Sequence, residues 1–502
     1  VKALHCVAAL VLVMLTAAHP LWAAPGFDTK LTARVFATAL EFAAPRTLDP
    51  VTPGQLALWG LHGITALDPA FTTALRGKIV WLADGDRPIY TAIAPGPNDS
   101  PAWGRVAADI NGAAYDASAE LRRAGGEALV QSFFDEMFNH LDPYSRYVPP
   151  APAEAERDKL SLDASAGIVL LRQHGAIVIS DVVPNGPGAE AGARVGDRLL
   201  AIDGQSVRGA SLARVNDLLT GSEGTNLTLR VRGLDGAARR LPITLDFVPP
   251  ETVFLSHAGG LLVLRISAFD GNTAERLSQA LEAGMASKPA PSAVVLDLRG
   301  NRGGLLRQAV TGVALLAEHG VIASTAGRDP QATHDWRIDD GGDLTNGTKV
   351  IILVDARTAS AAEIMAAALA DLGRAVVVGS STLGKGLVQT IIGLPDSGEL
   401  FVTWSRVLAP KSWPIQTLGV MPQVCTSLGH TETERELDDL ANGHWDMAGV
   451  VTKTRATRAP LSTAAAIELR QACPAAEGGD DDMMAAQFLA THPAAYAAAL
   501  IR

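Results

Sequence analysis

Val350-Ile351-Ile352-Leu353-Val354-Asp355-Ala356-Arg357-Thr358-Ala359-Ser360-Ala361-Ala362-Glu363-Ile364 is a run of β-branched and aliphatic residues that breaks into a polar turn and then into small helix-forming ones. Five consecutive apolar residues bounded by a turn predict a strand buried on both faces, and the segment after it predicts a helix. The same rhythm repeats on both sides. Strand runs at Leu261–Ile266, Ala293–Leu298 and Ala375–Val378 alternate with helical patterns at Thr273–Ala286, Leu305–His319 and Ala359–Leu372. Alternation of this kind is the pattern of a layered α/β fold.

Working outward, residues 160–250 change character to short Val/Ile/Leu runs punctuated by Gly, Asn and Asp, which predicts a small β-rich domain. From Phe27 to Leu141 the apolar spacing is helical in Leu31–Phe42, Gln55–Thr65 and Glu127–Phe138, with Pro- and Gly-rich joints such as Ala94–Pro101. Beyond Cys425 the signal fades into a charged stretch, an acidic run at Gly478–Asp482 and an Ala-rich helix from Met483 to Leu500. This reads as an appended tail whose acidic run is solvated. The expected organisation is therefore multi-domain, α+β and α/β: a signal segment 1–24, a helical region 25–158, a β-rich domain 159–249, an α/β core 250–425 and a helical extension 426–502.

The chain is 502 residues long with 48% hydrophobic and 19% charged residues, a globular composition, and its length suits two to four domains. Lys+Arg total 42 against Asp+Glu 53, a net charge of −11 with no long basic run, which argues against a nucleic-acid partner. Lys2 precedes an apolar stretch from Val7 to Leu15 that ends at the small residues Ala23 and Ala24, the layout of a secretory signal peptide, with an uncleaved anchor as the other reading. Cys6 lies before that stretch and leaves with it. Cys425 and Cys473 then remain in an oxidising compartment, where a disulfide stapling the tail competes with two lone buried thiols. Two cysteines without a clustered histidine pair do not make a zinc site.

Candidate chemistry gathers in the α/β region. Leu296-Asp297-Leu298-Arg299-Gly300-Asn301-Arg302-Gly303-Gly304 runs from a strand into a Gly-rich turn, where backbone N–H groups crowd and an oxyanion fits, although tight connections look the same. Ser360 followed by Glu363 has capping-box spacing, which makes Ser360 a helix cap. A hydroxyl at a helix N-terminus also sits beside unpaired N–H groups and a positive dipole end, where a tetrahedral anion is stabilised. Position alone leaves both readings open.

Gly379-Ser380-Ser381-Thr382-Leu383-Gly384-Lys385-Gly386 imitates a phosphate-binding loop, but Gly386 stands where a Ser or Thr is needed, and Leu387–Leu394 reads as a strand rather than a helix. Lys385 is either a solvated loop lysine or an amine kept neutral by an apolar setting, and a neutral lysine is a base. A strand would put Gln389 on the face of Lys385. No HExxH or GxSxG pattern supplies an alternative hydrolase site.

Val182 to Gly192 followed by Val195-Gly196-Asp197-Arg198-Leu199-Leu200-Ala201-Ile202-Asp203-Gly204 resembles a PDZ domain, with Ser211–Leu219 as the helix beside its groove and Gly167-Ile168-Val169 as the candidate carboxylate loop. Such a groove takes an extended peptide as an added edge strand; a purely structural gate is the other use. Together with His140–Tyr147, Leu296–Gly304, Ala359–Ile364, Gly384-Lys385-Gly386 and Thr403–Pro422, this run resembles the carboxyl-terminal processing peptidases, also called tail-specific proteases.

The resemblance implies a ClpP/crotonase-like layered core, a nucleophilic Ser360, a general base Lys385 twenty-five positions on, and Gln389 orienting that lysine. It further implies an oxyanion hole from the N–H groups of Ala361 and of Gly303 or its neighbour, polypeptide substrates held by their C-termini, and no metal or organic cofactor. Arg302 stands where the family commonly has proline, and Thr358 and Ala362 where it has serines. The expected protein is an exported serine endopeptidase, periplasmic in a Gram-negative source. A catalytically silent PDZ-containing peptide-binding protein is the alternative.

Overall fold

The computed structural model describes residues 26–154, 164–173, 175–183, 186–248 and 251–501. The expected signal segment, with Cys6, lies outside the described residues. Among these residues no helix is long and apolar enough to cross a membrane. The chain divides into two compact units, one holding residues up to 41 and 52–140, the other 42–51 and 141 onward.

In the first unit, helices Pro53–Leu61, Ser100–Ala117 and Gly126–Asn139 bury Leu56, Leu61, Ile110, Leu129 and Phe134, and Phe36 stacks on Phe133 with ring centroids 3.8 Å apart. Helix starts are written in the sequence: the Thr52 hydroxyl accepts the Gln55 N–H at 3.2 Å and Pro53 follows it. The purely helical expectation for this region needs correcting. Phe71–Arg76, Ile79–Asp84 and Arg87–Ile93 form an antiparallel three-stranded sheet. Two-residue alternation buries Val80 and Leu82, and the chain reverses at Gly77 and Gly85, both at positive φ.

In the second unit, Ala238–Thr244, Asn226–Arg232, Arg198–Ile202, Ala176–Val182 and Ile168–Gln173 follow one another in an antiparallel sheet. Leu229, Val231, Leu241 and Ile243 point into its core while Thr228, Arg230 and Arg240 face solvent. Ile168–Gln173 is an edge strand, and the helix Leu212–Asp217 packs near it.

The larger sheet runs in the order 253–258, 261–266, 293–297, 349–354, 375–379, 424–425; its first pair is antiparallel and the rest are parallel. Apart from the exposed edge strand 253–258, both faces are buried, which is why the parallel strands read as unbroken apolar runs. Leu264, Leu296, Ile352 and Val377 pack in one core with Leu277, Val313, Met365 and Leu369 of the helices Thr273–Met285, Leu306–Ala314 and Ala361–Asp371.

Val263, Val295, Leu353 and Val378 pack in another core with Leu437, Leu440, Leu489 and Tyr496 of the helices His430–Ala441, Asp480–Thr491 and Pro493–Ala499. The tail is thus a layer of the fold, not an appendage. Pro493 splits its expected single Ala-rich helix. Nor is the acidic run simply solvated: Asp482 is buried, accepting from Arg299 Nη1 at 3.0 Å and from the Thr426 hydroxyl at 2.5 Å.

A further antiparallel sheet, ordered 334–338, 320–326, 399–408, 387–393, was not anticipated beyond its Leu387–Gly393 strand; Arg146–Val148 adds to Glu399–Phe401. Three parallel strands of the larger sheet end in the loops 298–304, 355–360 and 380–386. Parallel α/β sheets place their sites at this carboxyl edge.

Candidate active site

The three loops are tied together by hydrogen bonds from buried polar side chains. Asn301 is fully buried; its Nδ2 donates to the Ile266 carbonyl at 2.8 Å and its Oδ1 accepts the Gly303 N–H at 2.8 Å. The Asn301 carbonyl accepts the Ala359 N–H at 2.9 Å, and the Thr358 hydroxyl donates to the Leu298 carbonyl at 2.9 Å. The Gly-rich turn therefore lies directly against the segment carrying Ser360. A Cβ on Gly303 would stand 2.8 Å from the Ser360 Cβ and 2.9 Å from the Ala361 nitrogen, so only glycine fits there.

Ser360 occupies φ 57°, ψ −120°, a backbone conformation that a non-glycine residue adopts only under constraint, immediately before the helix Ala361–Asp371. The constraint includes Glu363, one turn on. Its carboxylate is completely buried and takes four donors: the N–H of Ser360 at 2.8 Å and of Lys385 at 2.9 Å on Oε2, and the N–H of Gly384 at 2.7 Å and the Thr382 hydroxyl on Oε1. Burial pushes the Glu363 carboxyl above its ordinary value, opposed by those four hydrogen bonds. The capping partner suggested by the Ser-x-x-Glu spacing is thus also the anchor of the lysine loop, a role no local pattern reveals.

Lys385 is partly buried. Its Nζ stands 5.5 Å from the centroid of the Tyr144 ring, and among the described residues no hydrogen bond joins it to the Ser360 hydroxyl. Burial pushes the Tyr144 hydroxyl above its ordinary value, opposed by the nearby Gln416 side chain, whose Oε1 accepts the Gly386 N–H at 3.0 Å.

Gln389 lies in the strand Leu387–Gly393, but a register shift between Val388 and Gln389 interrupts the simple two-residue argument that linked it to Lys385. Gln389 faces Thr403 across the sheet, and its Nε2 donates to the Thr403 hydroxyl at 3.1 Å. That hydroxyl donates in turn to Asp142 Oδ1 at 2.7 Å. Asp142, Thr403, Asn301 and Tyr144 were missed as site residues; Asp142 and Tyr144 do sit in the Asp142-Pro143-Tyr144-Ser145 run singled out from the sequence. A strand after Gly386 also removes the phosphate-loop reading.

Of the expected oxyanion donors, the Ala361 N–H has no hydrogen bond among the described residues, whereas the Gly303 N–H is occupied by Asn301. The neighbouring Gly304 N–H is unoccupied among those residues. Cys425 and Cys473 are joined in a disulfide, and the Cys473 carbonyl accepts the Ser381 hydroxyl at 2.6 Å, fastening the tail beside the lysine loop. In the β-rich module Gly167 adopts positive φ and its carbonyl accepts the Val183 N–H at 2.9 Å; Ile168 then opens the edge strand, with Val169 half-exposed.

Comparison with known proteins follows the same division. Peptidase family S41 matches residues 260–426, and a PDZ domain matches residues 178–233. The chain is 32% identical over 304 residues to a carboxy-terminal-processing protease of Bartonella bacilliformis, covering 59% of this chain and 69% of that protein. It is 31% identical over 303 residues to a chloroplastic C-terminal processing peptidase of Tetradesmus obliquus, covering 56% and 64%. The chain thus spans about two thirds of the length of these relatives. Among solved structures, a photosystem II D1 C-terminal processing protease aligns at 26% identity over 73% of this chain and 92% of that one, with a TM-score of 0.38. On the sequence relationship, the chain belongs to the carboxyl-terminal processing proteases of peptidase family S41, serine peptidases that carry a PDZ domain.

Proposed function

We propose that this protein is an exported endopeptidase that hydrolyses peptide bonds near the C-termini of protein substrates, with Ser360 as nucleophile and Lys385 as general base. The observation that carries this reading is the shared Glu363 anchor, which ties the backbone of both residues to one buried carboxylate. The constrained backbone of Ser360 at a helix N-terminus supports it, because strain of this kind persists where function requires it.

The Lys385 amine swings from the Tyr144 ring toward Ser360 and takes the proton from Oγ as Oγ attacks the scissile carbonyl carbon. The resulting oxyanion is held by the N–H groups of Ala361 and Gly304. Collapse breaks the C–N bond, and the lysine ammonium returns the proton to the leaving amine. Water, deprotonated by the same amine, adds to the acyl carbon, and the C–Oγ bond breaks as the lysine ammonium returns that proton to Ser360 Oγ. Resting hydrogen bonds of catalytic groups are commonly looser than reacting ones, which accommodates the gap between hydroxyl and amine. Gln389 orients the amine.

Substrate tails add to the free edge of Ile168–Gln173, with their terminal carboxylate at Gly167-Ile168-Val169. The helix layers on both faces of the larger sheet suit a ClpP/crotonase-like core whose strands and one helix layer come from 250–425 and whose other helix layer comes from 426–502, preceded in the sequence by the region 25–158 and the PDZ domain 159–249. Export and a periplasmic location rest on the leader-like segment from Lys2 to Ala24.

Cleavage of casein or of a peptide with an apolar C-terminus tests the reading. Ser360→Ala abolishes turnover and Lys385→Ala reduces it nearly as far; unchanged turnover in either variant refutes the dyad.

A further inference from the structure

A glutamine that orients an amine must present its carbonyl oxygen to it, since the oxygen accepts from an ammonium and leaves the lone pair of a neutral amine free. The amide NH2 would do the opposite on both counts. Which end of Gln389 is offered to Lys385 is therefore a chemical question, and the groups that bond the Gln389 amide answer it.

The Gln389 Nε2 donates to Thr403 Oγ1 at 3.1 Å. A threonine hydroxyl has one hydrogen, and Thr403 gives its own to Asp142 Oδ1 at 2.7 Å. Toward Gln389 it can then offer only a lone pair, so the NH2 end must face Thr403. Asp142 is itself held by donors on every side: the N–H of Tyr144 at 2.9 Å and of Ser145 at 3.0 Å on Oδ1, and the Ser145 hydroxyl at 2.6 Å on Oδ2. The same Ser145 oxygen accepts the Thr403 N–H at 2.9 Å, closing a ring among the three residues. The segment is fixed to the sheet by the pairing of Arg146–Val148 with Glu399–Phe401, and the register places Gln389 directly across from Thr403.

We infer that Asp142 and Thr403 are positioning residues that set the polarity of the Gln389 amide, so that its Oε1 faces Lys385 during the transfer of the Ser360 proton. This rests on the proposed reading of Lys385 as the base and of Gln389 as the residue that orients it. With the hydroxyl freed from Asp142, Thr403 can donate to Oε1, turning the NH2 toward the amine. The protonated lysine then loses an acceptor and the neutral one loses its free lone pair.

The test is steady-state hydrolysis of a fluorogenic peptide across pH by the full chain carrying Thr403→Val, Thr403→Ser, Gln389→Met or the Gln389→Met/Thr403→Val pair, with Ser360→Ala and Lys385→Ala alongside. The inference expects Thr403→Val to lower kcat at least tenfold with KM within twofold, to move the acid limb of kcat to lower pH, and to be rescued by Thr403→Ser. It also expects Thr403→Val to cost nothing further once Gln389 is Met. A Thr403→Val enzyme with unchanged kcat and pH profile, or losses that multiply in the pair, overturns the inference while leaving the dyad intact provided Ser360→Ala and Lys385→Ala are inert. Full activity in those two variants instead overturns the dyad, and the inference with it.

Discussion

The backbone N–H groups of Ser360 and Lys385 converge on one atom, Oε2 of Glu363, at 2.8 Å and 2.9 Å. Two loops that arrive from different strands of the larger sheet are thereby registered to each other at the level of backbone, whatever their side chains do. The arrangement has consequences that can be measured.

Glu363→Gln keeps the shape but leaves one acceptor oxygen for four donors, so two of them lose their partner. Unfolding in urea should show a loss of about 3 kcal/mol, and peptide hydrolysis should fall on the order of a hundredfold as the loops drift apart. Wild-type turnover in this variant would mean that the loops are registered by something else.

The constrained backbone of Ser360 separates two inactive variants. Ser360→Gly relieves the positive φ and Ser360→Ala does not, so the glycine form should be the more stable of the two by about 1 kcal/mol. Equal thermal midpoints would show that the conformation carries no strain.

Glu436 predicts a pH dependence of stability. Its carboxyl is pushed by burial from 4.5 up to about 7, and its Oε2 accepts the Cys425 N–H at 3.2 Å while Oε1 has no partner among the described residues. Between those two pH values the folded chain holds a proton that the unfolded chain has lost. Its contribution to stability is therefore full below 4.5, falls as pH rises to about 7 and is level above it, a difference of about 3 kcal/mol. Glu436→Gln should flatten that part of the stability curve and unfold later than wild type at pH 8.

The Cys425–Cys473 bond closes a loop with a sequence separation of 48, for which chain entropy gives about 4 kcal/mol. Reduction, or Cys473→Ser, should lower stability by a comparable amount. Hydrolysis should fall as well, because Cys473 and Ala476 accept the hydroxyls of Ser381 and Ser380 at the head of the lysine loop. Full activity after reduction would show that the loop holds its shape unaided.

What the sequence revealed follows from how each feature is encoded. Leu261–Ile266, Val350–Val354 and Ala375–Val378 are legible because strands buried on both faces must be apolar throughout. The Ser360 and Lys385 loops stand out because they carry unusual local runs of small residues, whereas Gln389 lies in the strand that follows, where a register shift interrupts the two-residue period that pointed to it. The meander from Phe71 to Ile93 was hidden between helical patterns, since its alternating faces are largely exposed: Leu75 and Ile79 are solvated while Val80 and Leu82 are buried.

The tail was misjudged for a related reason. Its Ala-rich helices bury small side chains such as Ala485, Ala486 and Ala495 against the sheet, and alanine carries little periodic signal. Polar partners were least visible of all: Asp142 and Thr403 meet across 261 positions, and neither residue's neighbourhood announces the other.

Rapid quenching of the enzyme with an activated ester of a short peptide, followed by mass mapping of the digested chain, tests the central claim most directly. An acyl group on Ser360 in the wild-type enzyme, absent in Ser360→Ala and strongly reduced in Lys385→Ala, is the predicted result. Acylation of a different residue, or equal acylation of Ser360 with and without the Lys385 amine, would contradict the proposed chemistry.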